Sequence, residues 1–340
     1  MSNQWIRKWR LTIKRPQYPV WGGIKTIDKR APDPFFERKN IYNNILGTED
    51  IVFEEPLKIE FRVKKTALMD SNEAEITLYN LSADTEFQII EEGSRVILEA
   101  GYTDNMGVIF EGHILQPLRG KRNGTDYFLK LICLSDDDFL NLAFVAGTFN
   151  SNLTRRDVAL QVVRSSTVKP SSIIIEDLPD IDIVDGAQPR TERPKTVFGQ
   201  PKNYLRSLAK LSGSSPYTDD GSVRFFDPSK PPEFTHEVNV KTGMIGSPTQ
   251  VDYGVDVKVL LNPQMRLGDF IKIDNRSILQ QEIEIGQLQF LLENDGIYRI
   301  IGIEYVGDSR GQEWYSNLTT ITKAGKIPAA LRDNIGNTLL

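Results

Sequence analysis

Apolar and polar residues alternate with a period of two along much of this chain. In residues 95–102 the apolar side chains fall on one face: Val96, Leu98, Ala100 and Tyr102. A period of two is typical of a β-strand and does not fit a helix. Residues 8–14 and 57–65 show the same alternation. All three segments are therefore predicted to be strands.

Four apolar segments between residues 73 and 138 are rich in β-branched and aromatic side chains. They are separated by Gly, Asn, Asp and Ser, which favour turns. The last segment, residues 127–134, is apolar on both faces apart from Lys130, and we expect it to be buried on both sides. The stretch as a whole predicts an antiparallel barrel or a tight sandwich.

A second stretch near the C-terminus repeats this pattern. Residues 120–131 line up without gaps on residues 307–318, and each copy has two glycines four apart followed by aromatic residues: Gly120, Gly124 and Tyr127, then Gly307, Gly311 and Trp314. Further matches pair 107–114 with 296–303 (one residue inserted), 76–80 with 257–262, and 95–98 with 269–273. We interpret the repeat as an internal duplication, with hairpin loops that need positive φ at both glycines. The alternative is that any two β-hairpins share glycine and aromatic residues.

The pattern of residues 141–234 is mixed. Thr154 and Asp157 form a capping-box-like pair that predicts the start of a helix. A second amphipathic helix is predicted over residues 201–211, and residues 177–199 are interpreted as a loop. This part of the chain is predicted to be an α+β insertion.

The predicted fold class is mainly β, with two antiparallel β-barrel or sandwich domains related by duplication and a small α+β domain between them. The boundaries are residues 1–140 for the first barrel, 141–234 for the insertion, 235–322 for the second barrel and 323–340 for a C-terminal tail. Residues 15–56 hold five prolines and little periodicity, and a loop of that length is usually functional. We expect this arm to fold against a neighbouring subunit.

Candidate chemistry is sparse. The net charge of −5 argues against a role in coating nucleic acid. Cys133, the single cysteine, excludes an intrachain disulfide and is expected to be an inert core thiol. His113 and His236 have no partner at metal-ligand spacing, and no phosphate loop or nucleophile elbow is present. No catalytic, cofactor-binding or metal-binding residue is predicted, and we do not expect an enzyme.

Asp136, Asp137 and Asp138 form an acidic cluster that could hold a divalent cation. We favour capping of a helix that begins at Phe139, because adjacent acids lack the spacing and the glycine of a calcium loop. The N-terminus carries charges where a secretion signal is apolar, and no segment has the ~20 apolar residues that span a bilayer. We therefore expect a protein kept in a cytoplasm, without stable membrane insertion.

The run Ala-Glu-Ile-Thr-Leu-Tyr-Asn-Leu-Ser at residues 74–82, with residues 93–102 and 107–114 after it, resembles the baseplate hub proteins of tailed bacteriophages. The chain is similar to hubs of contractile tails, the late-control protein D group, and to the hub-like part of type VI secretion spikes. Residues 307–314 resemble the second barrel of that family. The resemblance covers roughly residues 59–140 and 240–322.

This resemblance implies two barrels that are each similar to a tail-tube subunit, in a homotrimer whose six units form a ring around a DNA channel. Such a hub joins the tail tube to the central spike in the virion, after assembly in the host cytoplasm. The implied partners are the tail tube or a tube-initiator protein, the spike, the tape-measure protein and surrounding baseplate proteins. DNA is implied only in transit, without sequence-specific binding.

Inter-barrel and ring contacts are expected on the strands around residues 96–102 and 107–114 and on their counterparts in the second copy. The candidate residues are Val96, Leu98, Ile109, Phe110, Phe270, Ile271, Tyr298 and Ile300. The alternative function is a monomeric two-barrel module for carbohydrate binding or tail-tip attachment. In that case aromatic residues such as Trp21, Trp314 and Tyr315 would stack on sugars.

Overall fold

The computed structural model describes the chain in segments: residues 6–14, 50–89, 94–122, 124–170, 172–174, 178, 190–211, 213–227, 235–251, 254–279 and 295–322. Most of the predicted arm and the whole C-terminal tail lie outside these described residues, and so does Trp21. The expectations for the arm and the tail therefore stay predictions.

Strands predominate among the described elements, which confirms a mainly β fold. The strands are β1 (Arg7–Lys14), β2 (Ile51–Glu54), β3 (Ile59–Thr66), β4 (Glu73–Tyr79), β5 (Arg95–Tyr102), β6 (Asn105–Arg122), β7 (Asp126–Leu134), β8 (Val145–Phe149), β9 (Ser172–Ile173), β10 (Lys195–Gly199), β11 (Ser215–Asp219), β12 (Ser222–Phe226), β13 (Thr235–Val238), β14 (Thr249–Val251), β15 (Gly254–Leu260), β16 (Phe270–Ile273), β17 (Ile297–Asp308) and β18 (Trp314–Thr322). The α-helices are α1 (Ala83–Ile89), α2 (Arg155–Arg164) and α3 (Pro201–Leu211).

One large sheet contains thirteen of the described strands. Its main path runs β14-β15-β18-β17-β3-β4-β7-β6-β5-β1-β2, and β16 branches from β17 with β13 beside it. The pairings are antiparallel except that β13 runs parallel to β16. Strand β2 lies inside the segment that we interpreted as an arm. It pairs with β1, so this end of the segment belongs to the sheet.

The strand order occurs twice in this sheet. β3-β4-β7-β6-β5-β1 in the first part corresponds, strand for strand, to β14-β15-β18-β17-β16-β13 in the second. We call β1–β7 the first unit and β13–β18 the second unit. The two differ at their last pair, since β1 is antiparallel to β5 whereas β13 is parallel to β16.

A β-bulge supports the correspondence between the units. In the first unit the β6/β7 register shifts between Ile114 and Gln116, opposite Cys133 and Ile132. In the second unit the β17/β18 register shifts between Ile300 and Gly302, opposite Thr320 and Thr319. A bulge bends and twists a strand locally, so a shared bulge gives both long strands the same kink.

The expected residue matches hold in some strands and fail in one. Ile76 lies opposite Leu131 and Val257 lies opposite Leu318, as the match of 76–80 with 257–262 requires. The match of 107–114 with 296–303 is displaced, because the bulge equates Ile114 with Ile300 and not with Ile303. Sequence similarity placed the right strands together but shifted their register.

A single hydrophobic core runs through both units and also includes Tyr217 and Phe226. A second core is formed mainly by residues between the units, together with Met69. Strand β7 contributes Leu129, Leu131 and Cys133 to the first core, whereas Lys130, Ile132 and Leu134 are half-buried. The expectation that β7 is buried on both sides is therefore wrong. One face of this antiparallel sheet is covered by the core and the other is partly open to solvent.

Between the units lies the insertion, which contains β8–β12, α2 and α3. Thr154 and Asp157 form the predicted capping box at the start of α2, where each residue's side chain accepts the backbone N–H of the other. The β12 strand pairs with β11 and β9, and β10 pairs with β8. Because β10 falls in residues 177–199, the interpretation of that whole segment as a loop is wrong.

Candidate functional site

The two units are joined directly by a strand pair. β17 has its first residues next to β16, and its later residues, Gly302–Asp308, pair antiparallel with Glu60–Thr66 of β3. Strand β17 therefore belongs to the second unit and also completes the sheet of the first. We call the surfaces that meet along this ladder, together with the hairpin end of β17 and β18, the unit junction.

Trp314 is the central side chain of the unit junction. It is 2% exposed, and its indole Nε1–H donates a hydrogen bond of 3.0 Å to the carbonyl oxygen of Gly101. Its ring packs edge-on against Phe61 with 5.3 Å between the centroids. Tyr102 donates from its hydroxyl to the Trp314 carbonyl oxygen at 3.4 Å. An aromatic side chain from the second unit is thus held by three residues of the first.

Arg7 of β1 also lies at the unit junction and binds the loop between β17 and β18. Its guanidinium donates to the carbonyl oxygens of Asp308 at 2.9 Å, Gly311 at 2.5 Å and Gln312 at 3.2 Å. The guanidinium carbon also lies 5.6 Å from the centre of the Trp314 ring. A cation that satisfies three carbonyl groups fixes the loop between β17 and β18. The loop predicted from the repeated glycines is therefore a docking element within the chain.

The repeated glycines serve close packing more than turn geometry. Only Gly124 has a positive φ, of 79°, so the expectation of positive φ is wrong for Gly120, Gly307 and Gly311. A Cβ on Gly307 would overlap the Phe61 ring, and one on Gly120 would lie 2.9 Å from Phe128 Cζ. A Cβ on Gly311 would overlap the Asp308 carboxylate. These positions exclude a side chain because a neighbouring group occupies its space.

A buried ion cluster joins the insertion to both units. Lys65 of β3 is 5% exposed, and its Nζ lies 3.1 Å from Asp219 Oδ1 and 2.5 Å from Asp220 Oδ2. Burial alone would lower the pKa of Lys65, but these two carboxylates outweigh it and raise that pKa. Tyr305 of β17 lies in the same cluster and donates its hydroxyl to the Met265 carbonyl oxygen at 3.1 Å.

Asp136 lies beside the turn that carries Asp219 and Asp220. Its carboxylate accepts the backbone N–H of Gly221 at 3.3 Å. Burial raises the pKa of Asp136 to about 6, although the hydrogen bond from Gly221 acts in the opposite direction. A cavity of about 580 Å³ opens next to this cluster and is lined by residues of both units and the insertion, including Lys65, Asp220, Arg266 and Tyr305.

The solvent side of the sheet carries paired charges of both signs. Lys58 and Arg122 contact Glu60 at 2.7 and 3.0 Å, Lys130 contacts Glu75 at 2.9 Å, and Arg62 contacts Glu304 at 3.2 Å. Burial alone would raise the pKa of Glu60, but hydrogen bonds from Lys58 and Tyr79 hold it below its ordinary value. We call this surface the polar face. It continues from one unit to the other across β3 and β17.

The eight candidate contact residues lie in the core of the chain. Val96, Leu98, Ile109, Phe110, Phe270, Ile271, Tyr298 and Ile300 are all at most 4% exposed. A neighbouring chain cannot reach such side chains, so they stabilise the sheet itself. Any ring contacts must therefore be made by other residues. The expectation failed because alternation shows that a strand has an apolar face but not whether the chain's own core or a partner covers it.

The other candidate residues divide into two groups. Tyr127 and Gly124 are exposed, whereas Trp314 and Gly307 are buried at the unit junction. Cys133 is buried, and burial raises the pKa of its thiol to about 12, which confirms an inert core position.

His113 is exposed, and His236 pairs through Nε2 with Asp269 Oδ2 at 3.2 Å, a contact that the sequence did not predict.

The acidic cluster at residues 136–138 precedes a π-helical turn, Asp138–Leu142, that includes Phe139 as expected. The expected cap is wrong, since Asp137 makes no capping hydrogen bond and accepts instead from Asn141 Nδ2 at 2.6 Å. In the described part of the chain, His, Cys, Asp and Glu side chains form no group of three that could hold a metal ion. None of the described helices is long and apolar enough to cross a membrane.

Comparisons with known proteins give one matching family and several similar folds. A model of the family described as "Baseplate hub gp41" matches residues 43–315. A comparison with curated protein sequences gives no match.

Solved structures with similar folds include a 43 kDa tail protein of prophage MuSo2 from Shewanella oneidensis. It is 12% identical, with a TM-score of 0.50, over 82% of this chain and 96% of that chain. The E. coli c3393 protein, a type VI secretion component with structural similarity to the T4 tail proteins gp27 and gp5, is 11% identical, with a TM-score of 0.51, over 81% of this chain and 77% of that chain. A chain of a PdpA–VgrG complex is 7% identical, with a TM-score of 0.50, over 95% of this chain and 66% of that chain. At these identities the similarity is one of fold.

Proposed function

Since the chain belongs to the baseplate hub gp41 family, we propose that it is the structural hub of a phage tail, in which three copies form a ring that joins the tail tube to the central spike. The role is structural and not enzymatic, and the site of action is the baseplate of the virion.

The repeated strand order carries this proposal. Two units with the same six-strand order in one chain are best explained by an internal duplication of a tube-like barrel. Three chains then present six similar units, which can match a sixfold tube on one side and a threefold spike on the other. Closed cyclic symmetry is the usual way in which repeated surfaces are all satisfied.

The same duplication supports the division into a first barrel (1–140), an insertion (141–234) and a second barrel (235–322). Most of the insertion's buried residues form a second core, although Tyr217 and Phe226 pack in the core shared by both units. We propose that the insertion faces the surrounding baseplate proteins. The partners proposed along the axis are the tube or tube-initiator protein, the spike and the tape-measure protein. A VgrG complex among the similar folds is consistent with a spike partner.

We propose that the polar face lines the channel through which DNA passes. Its cations are paired with carboxylates from neighbouring strands, as in Lys130 with Glu75 and Arg62 with Glu304. Retention of DNA requires unpaired cations that displace counterions from phosphates. A wall of mixed sign therefore gives passing DNA little to bind.

Electron microscopy of the purified full-length chain tests this proposal. We expect class averages of rings with three chains, six lobes and a central hole, and a reconstruction in which Glu60 and Glu75 face the hole. Mass photometry over a dilution series should give a trimer mass. Monomers at the highest attainable concentration would contradict the ring, and rings whose hole is lined by another face would contradict only the channel assignment.

The carbohydrate-binding alternative loses one of its candidate residues in the structure. Trp314 is 2% exposed and its indole N–H is already bound to Gly101, so this ring cannot stack on a sugar. Tyr315 is partly exposed, but the ammonium group of Lys258 lies 3.4 Å from the centre of its ring. A glycan-dependent change in tryptophan fluorescence would be needed to revive this alternative.

A further inference from the structure

We propose that the outer edge of strand β10 in the insertion binds an extended, acidic segment of another tail protein, which adds a strand to the β8/β10 sheet. The inference rests on the proposed function, since it names the contact through which the insertion meets the proteins around the hub. Three features of this edge support it: unpaired backbone groups, an apolar surface beside them and an excess of basic side chains.

Among the described strands β10 pairs only with β8, so it lies at the edge of a two-stranded sheet. The pairing is antiparallel and joins Lys195–Gly199 to Val145–Phe149. Two strands alone make a weak sheet in water, and a third strand stabilises it. An open edge presents a row of N–H and C=O groups to any segment that can pair with them.

A single side-chain hydroxyl covers part of this edge. The Tyr204 hydroxyl accepts the backbone N–H of Phe198 at 2.8 Å and donates to the carbonyl oxygen of Phe198 at 3.0 Å. Both backbone groups of Phe198 therefore point away from β8. Because backbone groups alternate in direction along an antiparallel strand, those of Thr196 point the same way, and no described residue bonds to them. The edge is thus open at Thr196 and covered only by a hydroxyl at Phe198.

An apolar surface lies beside the open edge. Phe198 is 73% exposed, and its ring packs edge-on against the Phe144 ring with 4.8 Å between the centroids. Leu142, two residues before Phe144, is 67% exposed. Ala146 lies opposite Phe198 on the exposed face of the sheet, and its short side chain leaves room beside the ring. An exposed aromatic pair next to an open edge is suited to bind an apolar side chain of an added strand.

The charge around β10 indicates which kind of segment binds. Residues 190–202 contain one acidic side chain, Glu192, and four basic ones: Arg190, Arg193, Lys195 and Lys202. The chain as a whole has a net charge of −5, so this is a basic surface on an acidic protein. Electrostatic complementarity favours an acidic partner. Nucleic acid would also be attracted by the charge, but the N–H and C=O groups of Thr196 and Phe198 match a peptide backbone.

These features together define how the segment binds. The added strand pairs with the backbone of Thr196 and replaces the Tyr204 hydroxyl at Phe198. Successive side chains of a strand point to opposite faces, so apolar residues at every second position contact Phe144 and Phe198. Acidic residues between them lie near the basic side chains. Main-chain hydrogen bonds supply affinity in this kind of recognition, and the alternating side chains supply specificity.

A photo-crosslinking amino acid at position 198 of the full chain, in tails assembled with all other tail proteins, tests the contact. We expect cross-links to a different tail protein, at a segment in which apolar residues alternate with Asp or Glu. The same amino acid at position 211 should give none, and Leu211 is the matched control because it is 66% exposed at the end of α3 in the same insertion.

Cross-links from position 198 that stay within hub chains, that join the hub to DNA or that reach a segment without this pattern would overturn the inference, as would the absence of any cross-link. Purified tails that lack this chain would instead contradict the proposed function.

Hydrogen exchange, read by mass spectrometry, separates strand addition from a contact between side chains alone. In the purified chain, Tyr204→Phe should speed exchange of the Phe198 amide roughly tenfold, because the oxygen that accepts its N–H is removed. In assembled tails the amides of Thr196 and Phe198 should exchange roughly tenfold or more slowly than in the purified chain. Equal exchange in both forms would overturn the added strand.

Substitution of Phe198 tests the apolar surface. Phe198→Ser should reduce the amount of the cross-linked protein in purified tails roughly tenfold, since exposed aromatic anchors are frequent hot spots of interfaces. Leu211→Ser should leave that amount unchanged, and both variants should melt like the parent chain because the two side chains are exposed. An undiminished amount of the partner in Phe198→Ser tails would contradict the role of the ring.

Discussion

Single glycines decide how closely the two units approach. Gly307 has ordinary extended geometry, yet the Phe61 ring fills the space that a Cβ would take. Phe61 in turn packs on Trp314. A methyl group at Gly307 would therefore push the Phe61 ring, and Phe61 would in turn push the Trp314 ring. The residue identity is explained by a neighbour that is far away in the sequence and not by the local turn.

Gly307→Ala should destabilise the chain by about 1–3 kcal/mol, as overpacking of a filled core does. Chemical unfolding in urea, followed by circular dichroism, measures this loss. Gly147→Ala is the matched control, because a Cβ there meets only a Phe149 ring carbon at 3.7 Å. Equal losses in both variants would show that the cost is a general property of glycine in a strand and would contradict the role of Phe61.

The carboxyl group of Asp136 makes stability depend on pH. Its pKa is about 6 in the folded chain against an ordinary 3.8, because burial favours the neutral form. The neutral carboxyl group therefore makes its full contribution to stability when the pH is below 3.8, the ordinary pKa. As the pH rises to about 6 this contribution is lost, and the free energy of unfolding falls by about 2–3 kcal/mol.

Asp136→Asn should remove this part of the pH dependence, since an amide does not ionise. The measurement is the difference in urea midpoint between parent and variant at pH 4, 5, 6 and 7, which should grow over that interval in favour of the variant. Asp138→Asn, at an exposed carboxylate, is the control. A constant difference across the series would exclude Asp136 as the titrating group.

At the scale of elements, one of the hydrogen bonds that join the β17/β18 hairpin to the first unit comes from the buried indole of Trp314. Trp314→Phe keeps a ring beside Phe61 but removes the N–H that the Gly101 carbonyl accepts. We expect a loss of about 1–3 kcal/mol, the cost of a buried acceptor without a donor. Tyr315→Phe, which removes a partly exposed hydroxyl bonded to Glu313, should cost much less. Similar urea midpoints for the two variants would contradict this role of the indole.

Local patterns were sufficient to predict most elements. Alternation located β3 and β5, and the Thr154–Asp157 pair located the start of α2. Strands β2 and β10 were missed because they are short and their pairing partners, β1 and β8, lie well away in the sequence. A short strand has too few residues for a periodic signal, so its pairing partner decides its conformation.

At the scale of the whole molecule, the sequence predicted the repeat but not the contacts between its copies. Lys65 and Asp219 are 154 positions apart, and no local pattern connects them. The eight apolar residues that were assigned to a ring are core residues of the chain, whereas Tyr127, known from the sequence only as part of a loop motif, is the exposed one. Burial is a property of the assembled sheet, which is why the sequence alone could not assign these roles.

The β3–β17 ladder also means that β3 is synthesised long before the strand that pairs with it. Thr66 is made about 240 residues before its partner Gly302, which at ~5–20 residues per second leaves the outer edge of β3 unpaired for roughly 10–50 s on the ribosome. An edge that waits this long risks pairing with other nascent chains. Arg62, Lys64 and Lys65 on β3 supply the positive charges that discourage such pairing. The residues that later face carboxylates in the folded chain thus also protect the unpaired edge of β3 from other nascent chains during synthesis.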